Sequence, residues 1–249
     1  MGIAYGVTTN FQATKGIVQD GLVLNLDAGV KESYNGGTTW RDLTGSNNGT
    51  FTNMTATNFN KSNGGILNFD GSNESVTVAS SNLSFNVQSG SSFLAWVKPD
   101  TVAGGDTFGS NNPKYIISKG SGNVSTANFL FRILGGKIDF VYARATNQYI
   151  TQRSSSSVVI ANTWNFISAV HNGSSIKLYL NGSESASSNS NNAPTYASLT
   201  TGTSAYIGSE INNQRYFDGS IGAINIYNRA LTAAEVSRNF NVMRHRFGI

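Results

Sequence analysis

The apolar residues of this chain come in runs no longer than a β-strand, each ending at turn-forming residues. Phe129–Leu134 and Lys137–Tyr142 flank Gly135-Gly136, and a glycine pair supplies the positive φ that a tight hairpin turn requires. Trp164–His171 and Ile176–Leu180 flank Asn172-Gly173-Ser174-Ser175 in the same way. In the latter run Ile176, Leu178 and Leu180 share one face and Lys177 and Tyr179 the other, the two-residue period of a strand. Leu22–Leu26, Ile66–Phe69, Ser75–Val78, Phe93–Val97, Tyr115–Ile117, Tyr206–Gly208 and Ser220–Tyr227 extend the set to roughly a dozen strands. Asparagine (31), serine (32) and glycine (27) dominate the composition, which suits turns and polar sheet faces and suits helix interiors badly.

One helix is expected, over residues 232–247. Thr232-Ala233-Ala234-Glu235 reads as a capping box, and Val236, Phe240, Met243 and Phe247 then fall on one face. The 249 residues could hold two domains. No proline-rich linker divides them, and all-β sandwiches reach this length as single domains. Ser183–Asn192 is low-complexity and is expected to be a long loop. The sequence thus predicts an all-β, two-sheet antiparallel sandwich over 21–249 with one short C-terminal helix, preceded by an arm over 1–20.

Several functional classes are excluded by composition. Without cysteine there are no disulfides, thiolate metal sites or cysteine nucleophiles, and His171 and His245 alone cannot make a three-histidine metal site. No run approaches the ~20 apolar residues that span a bilayer, and the N-terminus shows neither a secretory h-region nor a myristoylation motif. The net charge of +4 is carried without a basic cluster larger than Arg244-His245-Arg246, so neither a nucleic-acid partner nor membrane insertion is expected.

The hairpin Ala161–Val170 with Ser174–Gly182, the strand Phe217–Leu231 followed by Thr232–Glu235, Ala95–Pro99 and Phe69-Asp70-Gly71 resemble laminin-G-like, concanavalin-A-like domains. That resemblance implies a jelly-roll sandwich and covers about Gly21 to Val236. Gly21–Gly29, Thr39–Gly45, Asn48–Thr50 and the ending from Asn239 to Gly248 are similar to laminin-G-like proteins of tailed-phage virions. This second resemblance implies a non-enzymatic virion surface protein, a head decoration or fibre component, assembled in a reducing cytoplasm. Its partners would be other virion proteins or further copies of itself, and a host-surface glycan. An extracellular carbohydrate-binding adhesin is the alternative, and a glycan-active enzyme the third reading.

Asp70 and Asp218 each stand in Phe-Asp-Gly. Many relatives carry Ca²⁺ at this rim, but Ala223 and an apolar strand replace the family's usual acidic pair. We therefore expect turn caps and no cofactor. A glycosidase needs two carboxylates across the scissile bond; no such strand motif occurs, and Asp139 and Glu184 stand isolated. Sugar recognition needs an aromatic platform with amide and carboxylate partners on loops. Two regions qualify: Asn111, Asn112 and Tyr115 in the first, and Glu210, Asn212, Asn213, Arg215 and Tyr216 in the second. The alternative for each is a polar loop with a tyrosine packed at the sheet edge. Trp40, Trp96 and Trp164 are expected in the core, His171 at an exposed edge and His245 in a solvated tail. The sequons at Asn48, Asn73, Asn123 and Asn181 are expected to be unmodified.

Overall fold

Alternation of apolar and polar residues makes the strands of this chain two-faced, and two such sheets bury their apolar faces against one another. A computed structural model describes residues 16–79, 83, 90–102, 113–120, 127–145, 148–191, 204–210 and 215–249. In chain order the first strands are β1 (Leu22–Asp27), β2 (Thr39–Trp40), β3 (Gly49–Thr52), β4 (Phe59–Asn60), β5 (Ile66–Asp70) and β6 (Ser75–Val78). Next come β7 (Ser91–Pro99), β8 (Lys114–Gly120), β9 (Ala127–Leu134), β10 (Lys137–Ala145) and β11 (Gln148–Ser154). After them run β12 (Asn165–His171), β13 (Ile176–Leu180), β14 (Ser183–Ser185), β15 (Ser187–Asn191), β16 (Ala205–Ile207) and β17 (Asp218–Tyr227). The helix α1 (Ala233–Phe247) closes the chain.

The first sheet has the order β14-β13-β12-β7-β17-β5-β4, with β1 beside the second half of β17; the other has the order β15-β11-β10-β9-β8-β16-β6-β3-β2. Every pairing is antiparallel. The main core lies between them, where Phe93, Phe129, Phe131 and Phe140 pack ring against ring. The β9–β10 turn is the expected two-residue one, with Gly135 at φ 58° and Gly136 at φ 73°.

Ser183–Asn191 is not the loop expected from its composition. It forms β14 on the edge of the first sheet and β15 on the edge of the second. Small polar residues suffice at a sheet edge, where backbone pairing is supplemented by single polar contacts, Lys177 to Glu184 on β14 and Gln152 to Ser187 on β15. Apolar periodicity therefore gave no sign of it.

The first sheet is covered on its outer face by α1. Thr232 and Glu235 form the expected capping box, and Gly248 closes the helix in the left-handed conformation. Trp96 projects outward and stacks on Phe247 at 4.2 Å and on Phe240 at 5.7 Å, while Trp164 touches Phe247 at 4.5 Å. Any side chain at Gly222 would run into the Phe247 ring at 2.6 Å, so the close approach of helix to sheet requires glycine there.

The arm expected over 1–20 does not extend that far. Ile17 and Val18 are buried in this second core. The Val18 N–H donates to Asn239 Oδ1 at 2.8 Å, the Tyr227 hydroxyl donates to the Val18 carbonyl at 2.9 Å, and Arg238 Nε donates to the Gly16 carbonyl at 2.8 Å. Beyond them Arg229 joins both ends of the domain, bonding Glu235 through two nitrogens and Asp20 at 2.9 Å.

Replacing Phe247 by alanine is expected to cost about 3–5 kcal/mol, since it leaves a cavity against Trp96 and Trp164; the urea midpoint measures it. The Arg229 guanidinium, with the Thr232 groups, holds the Glu235 carboxyl at about 2, against an ordinary 4.5. A depressed carboxylate stabilises the fold above its unfolded value and loses that contribution as pH falls toward the folded one. Acid titration should therefore weaken the native protein between about pH 4.5 and 2, and Glu235→Gln should flatten that part of the curve.

Candidate functional site

A polar row crosses the outer face of the second sheet. Because Phe131 and Phe140 point into the core, their neighbours Arg132 and Asp139 point the other way. The register places Tyr115 opposite Arg132, Arg132 opposite Asp139 and Asp139 opposite Arg153, on β8, β9, β10 and β11. Arg132 donates from Nη1 to the Tyr115 hydroxyl at 2.8 Å and from Nε to Asp139 Oδ2 at 2.7 Å. Arg153 Nε donates to Asp139 Oδ1 at 2.7 Å. Tyr115 and Asp139 are 0% exposed and Arg132 is 1% exposed. Leu130 and Val141 line the same face and cluster with Tyr115.

The row ends beside a pinned loop base. After β16 the Gly208 N–H donates to the Ile116 carbonyl, the Phe217 N–H donates back to Gly208, and Ser209 bridges Tyr216. Glu210 is 2% exposed; its N–H reaches the Arg215 carbonyl and its carboxylate accepts from Arg215 Nη1 at 2.9 Å. The two regions singled out in the sequence thus converge, since Glu210 and Arg215 both act electrostatically on Tyr115. Burial, reinforced by Glu210 and opposed by Arg132, pushes the Tyr115 hydroxyl above its ordinary value.

Of the expected ligand-binding residues, Arg215 and Tyr216 are partly exposed. Tyr115 and Glu210 are not platforms for a ligand: both lie under the surface as supports, Tyr115 under Arg132 and Glu210 under Arg215. Asn111, Asn112, Asn212 and Asn213 lie outside the described residues.

The two Phe-Asp-Gly motifs meet at this rim, with Asp70 directly opposite Asp218 across β5 and β17. Asp70 caps its turn as expected, accepting from the Ser72 N–H at 2.8 Å and the Asn73 N–H at 3.3 Å. Asp218 instead faces Lys114 Nζ at 3.5 Å, an ion pair that links the second sheet to the first. These partners do not make a cation cage, and among the described residues no three histidine or carboxylate groups cluster for a metal.

A family model for the concanavalin A-like lectin/glucanases superfamily matches residues 69–237, more than half of the chain. The chain belongs to that superfamily. No curated protein matches it. Among solved structures, the binding domain of botulinum neurotoxin serotype G aligns with a TM-score of 0.65 and 19% identity, over 89% of this chain and 51% of that one. The botulinum neurotoxin serotype D ligand binding domain in complex with N-acetylneuraminic acid gives 0.60 and 19%, over 92% and 52%. Trypanosoma rangeli sialidase in complex with the inhibitor DANA gives 0.60 and 14%, over 90% and 33%. At these identities the likeness is one of fold. The chain spans about half of the neurotoxin domains and a third of the sialidase.

The polar row contains residues that sequence reasoning missed. Arg132 and Asp139 are equidistant from the Gly135-Gly136 turn, so the hairpin that was legible already set them face to face. Arg153 had no such signal, since β10 and β11 lack a recognisable tight turn. His171 is also not at an exposed edge. It is 0% exposed between β7 and β13 and stacks on Tyr142 at 5.3 Å. The Asn172-Gly173 turn beyond it misled, because both neighbouring strands extend far enough to cover the last residue.

Asp139→Ala would leave two arginines facing each other without their shared counter-charge. We expect a loss of about 3–5 kcal/mol in urea unfolding. A loss below about 1 kcal/mol, the worth of an exposed pair, would show that the row is not a buried ion network.

Proposed function

We propose that the chain is a non-enzymatic carbohydrate-binding module whose ligand surface is the rim around Arg215 and Tyr216. The observation that carries this reading is the Glu210–Arg215 pair. A carboxylate that is 2% exposed in its side chain grips a guanidinium whose side chain is 36% exposed, at the base of a loop. A planar donor fork is thereby fixed in direction while part of it faces solvent, and the partly exposed Tyr216 follows it in the chain. Fixed polar groups next to an aromatic face are what a hydroxyl-rich ring requires. Burial and the nearby Asp70 carboxylate raise the Tyr216 hydroxyl above its ordinary value, so it stays a neutral donor.

Catalysis fits the rim less well. A general acid or nucleophile must touch the substrate; Asp139 and Glu210 are enclosed and engaged by arginines, and of the rim carboxylates Asp70 is taken up by the Ser72 and Asn73 N–H groups and Asp218 by Lys114.

Beyond sugar binding, we propose the setting that the sequence resemblance suggests. The module would stand on the surface of a tailed-phage virion, as head decoration or fibre component, with a host-surface glycan or another virion protein as partner. Residues 1–15 would be its anchoring or oligomer-forming arm. Removing 1–15 should leave the melting temperature unchanged and abolish attachment or assembly. Removing 1–20 should lower the melting temperature as well, because Ile17 and Val18 are buried.

A glycan array with the purified chain tests the binding reading. The expected result is a defined set of bound glycans, lost about tenfold or more in affinity in Tyr216→Ala at unchanged melting temperature and in Arg215→Lys, which keeps a cation for the buried Glu210 carboxylate while removing the planar fork. Absence of any bound glycan, binding that survives both substitutions, or release of a cleaved sugar would refute it.

A further inference from the structure

We infer that Asn35 is a site of spontaneous covalent modification, singled out by the fold from the chain's five Asn–Gly pairs. Asparagine is chemically labile, and a following glycine offers an unhindered nitrogen. The Gly36 nitrogen attacks Cγ of Asn35, the Cγ–Nδ2 bond breaks, and ammonia leaves with the proton from Gly36. Water then opens the cyclic imide at either carbonyl, giving aspartate or isoaspartate at position 35.

Four of the pairs are held away from this path. Asn63 uses both ends of its amide, accepting from Trp164 Nε1 at 3.1 Å and donating to the Arg246 carbonyl at 2.9 Å. Asn181 accepts from the Phe166 N–H at 2.9 Å, and its own N–H is bonded back to Phe166. Asn172 accepts from the N–H groups of Ser174 and Ser175, and the attacking nitrogen, that of Gly173, points at His171 Nδ1. Asn48 accepts from the Asp42 N–H at 2.9 Å, and Gly49 is fixed in β3.

Asn35 is no more exposed than Asn48 and Asn172, but it differs from the other four in the open glycine backbone that follows it and in having a cation as the donor on its amide oxygen. It is exposed, and Gly36 and Gly37 follow at φ 103° and 85° with nothing within 4 Å of where a Cβ would stand. The loop is tethered by the Tyr34 hydroxyl on the Gly37 carbonyl at 3.1 Å, one residue beyond the attacking nitrogen. Arg41 Nη1 donates to Asn35 Oδ1 at 2.8 Å. A cation on the amide oxygen draws electrons from Cγ, which favours attack, and the same guanidinium then pairs with the product carboxylate.

Peptide mapping with isoaspartate detection, on the folded chain kept in warm, mildly alkaline buffer, tests the assignment. Position 35 should convert about tenfold faster than any of the other four, the factor expected when one or two hydrogen bonds must first be broken. In the urea-unfolded chain all five should convert at similar rates. Arg41→Ala should slow the folded reaction at 35 at unchanged melting temperature. The inference fails if Asn35 stays intact while another pair converts, or if folded and unfolded chains show the same ranking. It fails equally if Arg41→Ala speeds the reaction, since the guanidinium would then be a restraint.

Discussion

Asp139 carries a negative charge where no water reaches it, and the guanidinium groups of Arg132 and Arg153 close on its two oxygens from the neighbouring strands. A buried carboxylate is tolerated only when its lone pairs are filled and its charge is matched. Here that condition ties β9, β10 and β11 into one register. A slip of one residue would turn Asp139 into the core among Phe131 and Phe140 and bring an aromatic ring outward. The ion row therefore selects the pairing that the core also selects. Tyr115 extends the row to β8, and through β8 it fixes the place of the Glu210–Arg215 loop base.

The other sheet is covered over its middle, leaving a half-open cavity beside β12 and β13 lined by Val170, Lys177, Tyr179 and Leu231. Its outer face bears Trp96, which Phe240 and Phe247 cover, and the chain start enters the same core through Ile17 and Val18. Arg246 reaches from the helix to the Asp27 carboxylate and to the carbonyls of Asn63 and Gly65, clamping the helix end onto the rim opposite its cap. At the rim between the sheets Lys114 pairs with Asp218, and the partly exposed Arg215 and Tyr216 stand just before β17.

Much of this was legible in the sequence wherever side-chain period or turn chemistry carried the information. The Gly135-Gly136 turn gave the β9–β10 hairpin, and the Thr232–Glu235 box gave the helix start and its apolar face. Edge strands β14 and β15 were invisible because their run of serines and asparagines shows no apolar periodicity. Burial of polar residues was invisible too. Tyr115, Glu210 and His171 have the composition of surface residues and become interior only through partners far away in sequence. Sequence reasoning named Arg215 and Tyr216, which are partly exposed, together with Tyr115 and Glu210, which are buried.

Amide hydrogen exchange of the chain, alone and with the oligosaccharide that an array selects, measures the central claim directly. The account predicts protection gained around Arg215–Phe217 and the start of β8, with α1 unchanged. Protection gained along α1 or on β13 and β14, with the Arg215–Phe217 segment unaffected, would contradict it.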